Sequence, residues 1–150
     1  MRRTIIFLLL AGSIFLTLPR LMAQGESRFK IIVHRDNATQ TLSRKQVSNF
    51  FLKKVVSWDD GTAVMPTDLP PRSPVREAFS SAVHRRDVRS ILSFWQRQVF
   101  SGRNTPPPEA ANDEAVLATV RNNRGGIGYV SAQADTRDVR VLRIPDLERQ

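Results

Sequence analysis

Three residues in one stretch have the types and spacing for anion chemistry: Arg72, Ser73 and Arg76 in "DLPPRSPVREAF" (68–79). Ser73 precedes Pro74, and a Ser followed by Pro is a favoured way to begin a helix. The first turn of a helix leaves backbone N–H groups without partners, and its dipole attracts negative charge. A serine hydroxyl and two guanidinium groups beside such a turn add charge-assisted donors for a small anion such as inorganic phosphate. The same residues also fit a plainer role. In that role Ser73 spends its oxygen on the cap, and the two arginines are solvated.

Other chemistries find little support. Cysteine is absent, which removes disulfides, thiolate metal sites and a thiol nucleophile. The two histidines, His34 and His84, stand 50 positions apart with no metal-ligand spacing. Ser73, His84 and Asp87 contain the residue types of a hydrolase triad, but so does almost any chain of this size. Gly125-Gly126-Ile127-Gly128 follows a helical pattern and not a strand, so it reads as a helix stop and not as a dinucleotide loop. No enzyme activity, metal or cofactor is expected.

The elements that position the Arg72–Arg76 stretch are legible as patterns. Phe29–Val33 is β-branched and apolar and reads as a buried strand. Ser43 with Gln46 forms a capping box, Leu42 and Val47 a hydrophobic staple, and Val47, Phe50 and Phe51 the inner face of the helix that follows. Residues 63–67 read as a short edge strand because of Pro66. The helix after Ser73 places Val75, Phe79, Ala82 and Val83 inward. The next begins near Asp87 and buries Val88, Ile91, Leu92, Trp95 and Val99. A stiff loop with three prolines covers 101–112. Asp113 caps a last helix with Val116, Leu117 and Val120 inside, and strands are expected at 127–130 and 139–144. Mixed strands and helices with long connections point to an α/β fold with a small, mostly parallel sheet.

The N-terminus has the layout of a secretory signal. Arg2 and Arg3 precede an apolar run over Ile5–Leu18, and Ala23 ends a candidate cleavage site. The run is short for a membrane span, and no cysteine follows it for lipid attachment. The expected product is a periplasmic, soluble, single domain over 24–150. It has 20 basic and 14 acidic residues, a net charge of +6. That charge favours anionic partners, but the basic residues are dispersed, and no nucleic acid is expected for an exported chain.

Four phrases in order resemble the periplasmic phosphate-binding proteins of ABC transporters, members of the type II solute-binding superfamily. "FFLKKVVSW" (50–58) is similar to the family's "IFLGKITKW", and Asp59-Asp60-Gly61 to its "NDG" turn. "SPVREAF" (73–79) is similar to "SGTREAF", and "RGGIGYV" (124–130) to "PGAIGYV". The resemblance covers about 40–131 and implies a single lobe, the second, of a fold whose ligand lies between two lobes. It also implies an anion site in which Ser73 keeps the family's serine. Pro74 replaces the glycine, Val75 the threonine and Leu69 an arginine, so three donor positions are changed. Two functions follow from the resemblance. One is a phosphate-binding component of ABC-type uptake that uses Ser73, Arg72 and Arg76. The other is a single-lobe module that binds a transporter or envelope protein and no small ligand.

Overall fold

A computed structural model describes residues 28–148. The expected signal segment lies outside those residues. Phe29–His34 forms β1, one residue longer than its apolar run. Arg44–Phe51 forms α1 behind the Ser43–Gln46 capping box, with Val47, Phe50 and Phe51 buried. Met65–Pro66 is β2, and Pro74–Phe79 is α2. A π-helical turn, Ser80–His84, continues α2 and ends on Arg85 in the left-handed conformation. The remaining elements are α3 (Val88–Phe100), α4 (Asp113–Asn122), β3 (Gly126–Ser131), β4 (Val139–Val141) and α5 (Pro145–Glu148).

The sheet has the order β2-β3-β1-β4. β1 pairs antiparallel with both β3 and β4, and only β2 with β3 is parallel. The expectation of a mostly parallel sheet is therefore corrected to a mixed one. The reason is connectivity: the long helical excursion between β1 and β3 returns the chain in the opposite direction, and the 132–138 connection then crosses to the other side of β1, so that β4 enters beside His34 and runs the same way as β3, antiparallel to β1. β2 lies at the edge, as Pro66 requires.

The core is continuous. β1 and β3 place Ile31, Ile32, Val33, Ile127, Tyr129 and Val130 against Val47, Phe50 and Phe51 of α1 and Val116, Leu117 and Val120 of α4. Strands buried on both faces explain why β1 and β3 read as apolar runs without alternation. Some details differ from the sequence expectations. Asn112, not Asp113, caps α4, its side chain accepting from the Ala115 N–H at 3.0 Å. Asp113 instead uses its carboxylate to accept from the Ser131 hydroxyl at 2.5 Å. In α3, Ile91 and Trp95 are buried as expected, but Val99 is exposed because the helix runs past the core before that turn. β4 ends at Val141, and only an isolated bridge from Arg143 to Thr41 continues it.

Gly125 ties β2 to the start of β3. Its carbonyl accepts from the Met65 N–H at 2.9 Å and from the Trp58 indole N–H at 3.1 Å. A Cβ at Gly125 would lie 1.8 Å from the Ala63 carbonyl oxygen, a backbone atom that has to move with its strand. Gly125→Ala is expected to cost at least about 1–3 kcal/mol, the usual range for overpacking, read as a lowered midpoint in urea unfolding.

Candidate functional site

The start of α2 is built much as its sequence predicts. Ser73 is extended and accepts from the Arg76 N–H at 3.4 Å, while Pro74 fills the first helical position. The Ser73 N–H is itself used, donating to the Pro70 carbonyl at 2.9 Å. Arg72 is exposed and has no hydrogen bond or ion pair among the described residues. A depression of about 520 Å³ opens here, lined by Leu69, Pro70, Arg72, Ser73 and the first residues of α4. Asn112, Asp113 and Glu114 line its other side, so two acidic residues border the depression, one of them, Asp113, held by Ser131.

Arg76 is placed differently from its neighbours. Its side chain is only 2% exposed. It lies on the inward face of the helix with Phe79 and Val83, at spacings of three and seven residues. One guanidinium nitrogen (Nη2) lies 3.0 Å from Asp68 Oδ2. The other (Nη1) donates to the Leu69 carbonyl at 2.5 Å and to Glu109 Oε1 at 2.6 Å. Ser73, Arg72 and Arg76 therefore share one helix start but point to different environments: Ser73 to the cap, Arg72 to solvent, and Arg76 to a closed ionic cluster.

Asp68 is the centre of that cluster. Its Oδ1 accepts from the Tyr129 hydroxyl and, at 3.0 Å, from the Leu69 N–H. Burial pushes the Asp68 carboxyl above its usual range, opposed by Arg76, Tyr129 and the Leu69 N–H. Burial and the nearby carboxylate also raise Tyr129, so the phenol keeps its proton and acts as a donor. The Tyr129 ring stacks flat on Phe79, with centroids 3.8 Å apart and planes 4° apart, and Phe51 closes on Phe79 at 4.7 Å. Glu109 reaches the cluster from the proline-rich loop. Asp68 N–H donates to the Pro108 carbonyl at 2.9 Å, and Ala110 N–H to the Asp68 carbonyl at 2.8 Å, so the loop is hydrogen-bonded alongside Asp68.

Sequence reading did not single out Asp68, Glu109 or Tyr129. One signal was available: the chain's single tyrosine falls inside an otherwise apolar strand, and a buried phenol needs a polar partner. His84 is held elsewhere, its Nδ1 2.9 Å from Ser48 Oγ and its ring edge-on to Phe79. Asp87 caps α3 through the Ser90 N–H at 2.7 Å. Ser73, His84 and Asp87 thus have separate structural partners. Burial, followed by the charges of Arg76, Arg86, Arg44 and Lys54, lowers His84 to about 4. His34 accepts from the Asp36 N–H at 3.1 Å. Among the described residues no three His, Asp or Glu side chains come together as a metal site, and no helix is long and apolar enough to cross a membrane.

The described residues form one α/β domain around a four-stranded mixed sheet. No family model and no curated protein matches the sequence, but solved structures match the fold. A phosphate ABC transporter substrate-binding protein with bound phosphate from Clostridium perfringens superposes with a TM-score of 0.62 at 16% identity, over 81% of this chain and 48% of that one. An ABC-type phosphate transport receptor from Vibrio cholerae gives 0.61 at 15%, over 77% of this chain and 45% of that one. PstS from Borrelia burgdorferi gives 0.59 at 6%, over 79% and 47%. The chain spans about half the length of these proteins, so it shares the fold of one part of a phosphate-type substrate-binding protein.

Two predictions follow from the cluster and from His84. Arg76→Met leaves Asp68 buried without its cation and is expected to cost about 3–5 kcal/mol in urea unfolding, whereas Asp68→Asn combined with Arg76→Met recovers most of the loss. His84 is neutral in the folded chain down to about pH 4 but gains a proton near pH 6.5 when unfolded. Its contribution is complete above pH 6.5 and falls as the pH drops toward 4, by up to about 3 kcal/mol. The stability of His84→Gln should therefore depend less steeply on pH across that window, measured against the parent chain by urea unfolding at each pH.

Proposed function

We propose that this chain is an exported, periplasmic, non-enzymatic lobe of the phosphate-uptake binding-protein type that acts by contacting another protein and not by capturing a small anion itself. The observation that carries this reading is the saturation of Arg76. The one buried guanidinium at the helix start already holds two carboxylates and a carbonyl. A phosphate there has to displace charge of its own sign, and Leu69, Pro74 and Val75 offer no side-chain donor in exchange. Exposed apolar residues support a protein-facing role. Val55, Val56 and Met65 are exposed on two segments that the Val64 N–H to Val56 carbonyl bond joins at 2.9 Å. A transporter or envelope protein is the expected partner.

A second reading has its own observation. Glu109 is 44% exposed, unlike Asp68 and Arg76. It is therefore the removable member of the cluster, occupying a place at Arg76 that an external anion would take. With Glu109 swung out, Arg76, Arg72 and Ser73 would together offer phosphate the donors of a small-anion site. Calorimetric titration with inorganic phosphate separates the two readings. The protein-contact reading expects no heat at millimolar phosphate from the parent chain and a partner in crosslinking of the cell envelope. Heat from the parent chain that strengthens in Glu109→Ala and disappears in Arg72→Gln would establish the anion reading instead.

A further inference from the structure

The outward face of α3 has no part in the core or in the cluster around Asp68. Ile91 and Trp95 are the buried side of this helix. On the opposite side Arg89, Ser93, Arg97 and Phe100 recur at intervals of four, four and three residues. At about 100° per residue they form one stripe. Arg86, Arg89, Ser90, Ser93 and Arg97 line a shallow depression of about 370 Å³. The side chains of Arg86, Arg89 and Arg97 have no hydrogen bond or ion pair among the described residues. From Val88 to Pro108 the sequence contains no Asp or Glu, and Arg103 adds another cation just past the helix. At the end of the stripe Phe100 is 91% exposed, with Val99 beside it at 52%.

We propose that this face of α3 docks on an anionic lipid bilayer, with Arg86, Arg89 and Arg97 on the lipid phosphates and Phe100 in the headgroup–acyl boundary. Charge complementarity carries the assignment. The stripe combines arginines whose side chains form no ion pair among the described residues, with Asp87 the acid beside Arg86 and Arg89, and a bare aromatic ring on the same face, and serines between the arginines leave room for phosphate groups to approach. A membrane surface has the matching layers, phosphates outermost and hydrocarbon a few ångström beneath. An acidic protein surface supplies the charge but needs a separate pocket for Phe100. The proposal is independent of whether the α2 site takes phosphate.

The whole chain contains the apolar run 5–18, which can partition into vesicles whatever their charge. The test therefore reads the surroundings of α3 and not binding as such. The chain has no cysteine, so Gln96→Cys offers a unique labelling position on this face and Gln133→Cys one on the β3–β4 turn. An environment-sensitive fluorophore at position 96 is expected to shift to the blue on phosphatidylglycerol-rich vesicles and not on phosphatidylcholine, while one at position 133 stays unchanged. Each arginine removed should raise the lipid concentration needed for the shift about fivefold, and Arg86→Gln/Arg89→Gln/Arg97→Gln together by roughly a hundredfold. Phe100→Ser should abolish the blue shift. Circular dichroism confirms that each variant is folded. Equal shifts on both lipids, or a shift that the triple variant keeps, overturns the proposal. So does the absence of any shift together with crosslinking of position 96 to an acidic protein.

Discussion

The contact between Arg76 and Asp68 is the constraint to which the rest of this lobe is fitted. Two opposite charges lie 3.0 Å apart inside an aromatic and aliphatic core. Their attraction offsets the loss of hydration only when every remaining donor and acceptor is occupied. The fold surrounds the pair with Tyr129 from β3, Leu69 through both its N–H and its carbonyl, Glu109 from the proline loop, and the Phe79–Tyr129 stack as the apolar wall. α2, the connection from β2, the middle of β3 and the 105–110 segment are thereby fixed relative to one another by one ion pair. Its cost in desolvation makes alternative packings of these segments worse still, because each would strand a charge.

The same requirement accounts for what happens to the anion chemistry at the start of α2. A helix start with a serine and two arginines has the composition of an anion site. Composition does not say where an arginine points. One position decides it: Arg76 lies on the buried stripe with Phe79 and Val83, while Arg72 precedes the helix and remains in water. The lobe resembles, in fold, proteins about twice its length, one of them solved with phosphate bound. In this chain two carboxylates of its own already neutralise the guanidinium that faces inward.

Local signals survived the passage from sequence to structure, and those that depend on distant partners did not. The Ser43–Gln46 capping box, the Ser73-Pro74 helix start, the Trp95 burial and the edge position of Pro66 are each decided within a few residues, and each appears as read. The sheet is mixed and not mostly parallel, and alternation of strands and helices does not reveal which way the chain re-enters the sheet. The Asp68–Arg76–Glu109–Tyr129 cluster spans 61 residues from Asp68 to Tyr129, and no short-range pattern marks it. Val99 fits the helical periodicity of the buried stripe yet is exposed, because that periodicity continues past the point where the core ends.

Pro66 has an effect on assembly as well as on the sheet. It occupies an edge strand of two residues, and a proline there leaves no amide hydrogen for a newcomer to pair with. At the opposite edge β4 offers three residues. Neither border gives a strand from another molecule enough ladder to grow on. Whatever this lobe associates with has to meet it through side chains on its faces, where recognition is set residue by residue and not by the generic pairing of backbones. That makes its associations easy to retune by substitution, and it protects a small, sheet-containing domain from joining edge to edge with its own copies.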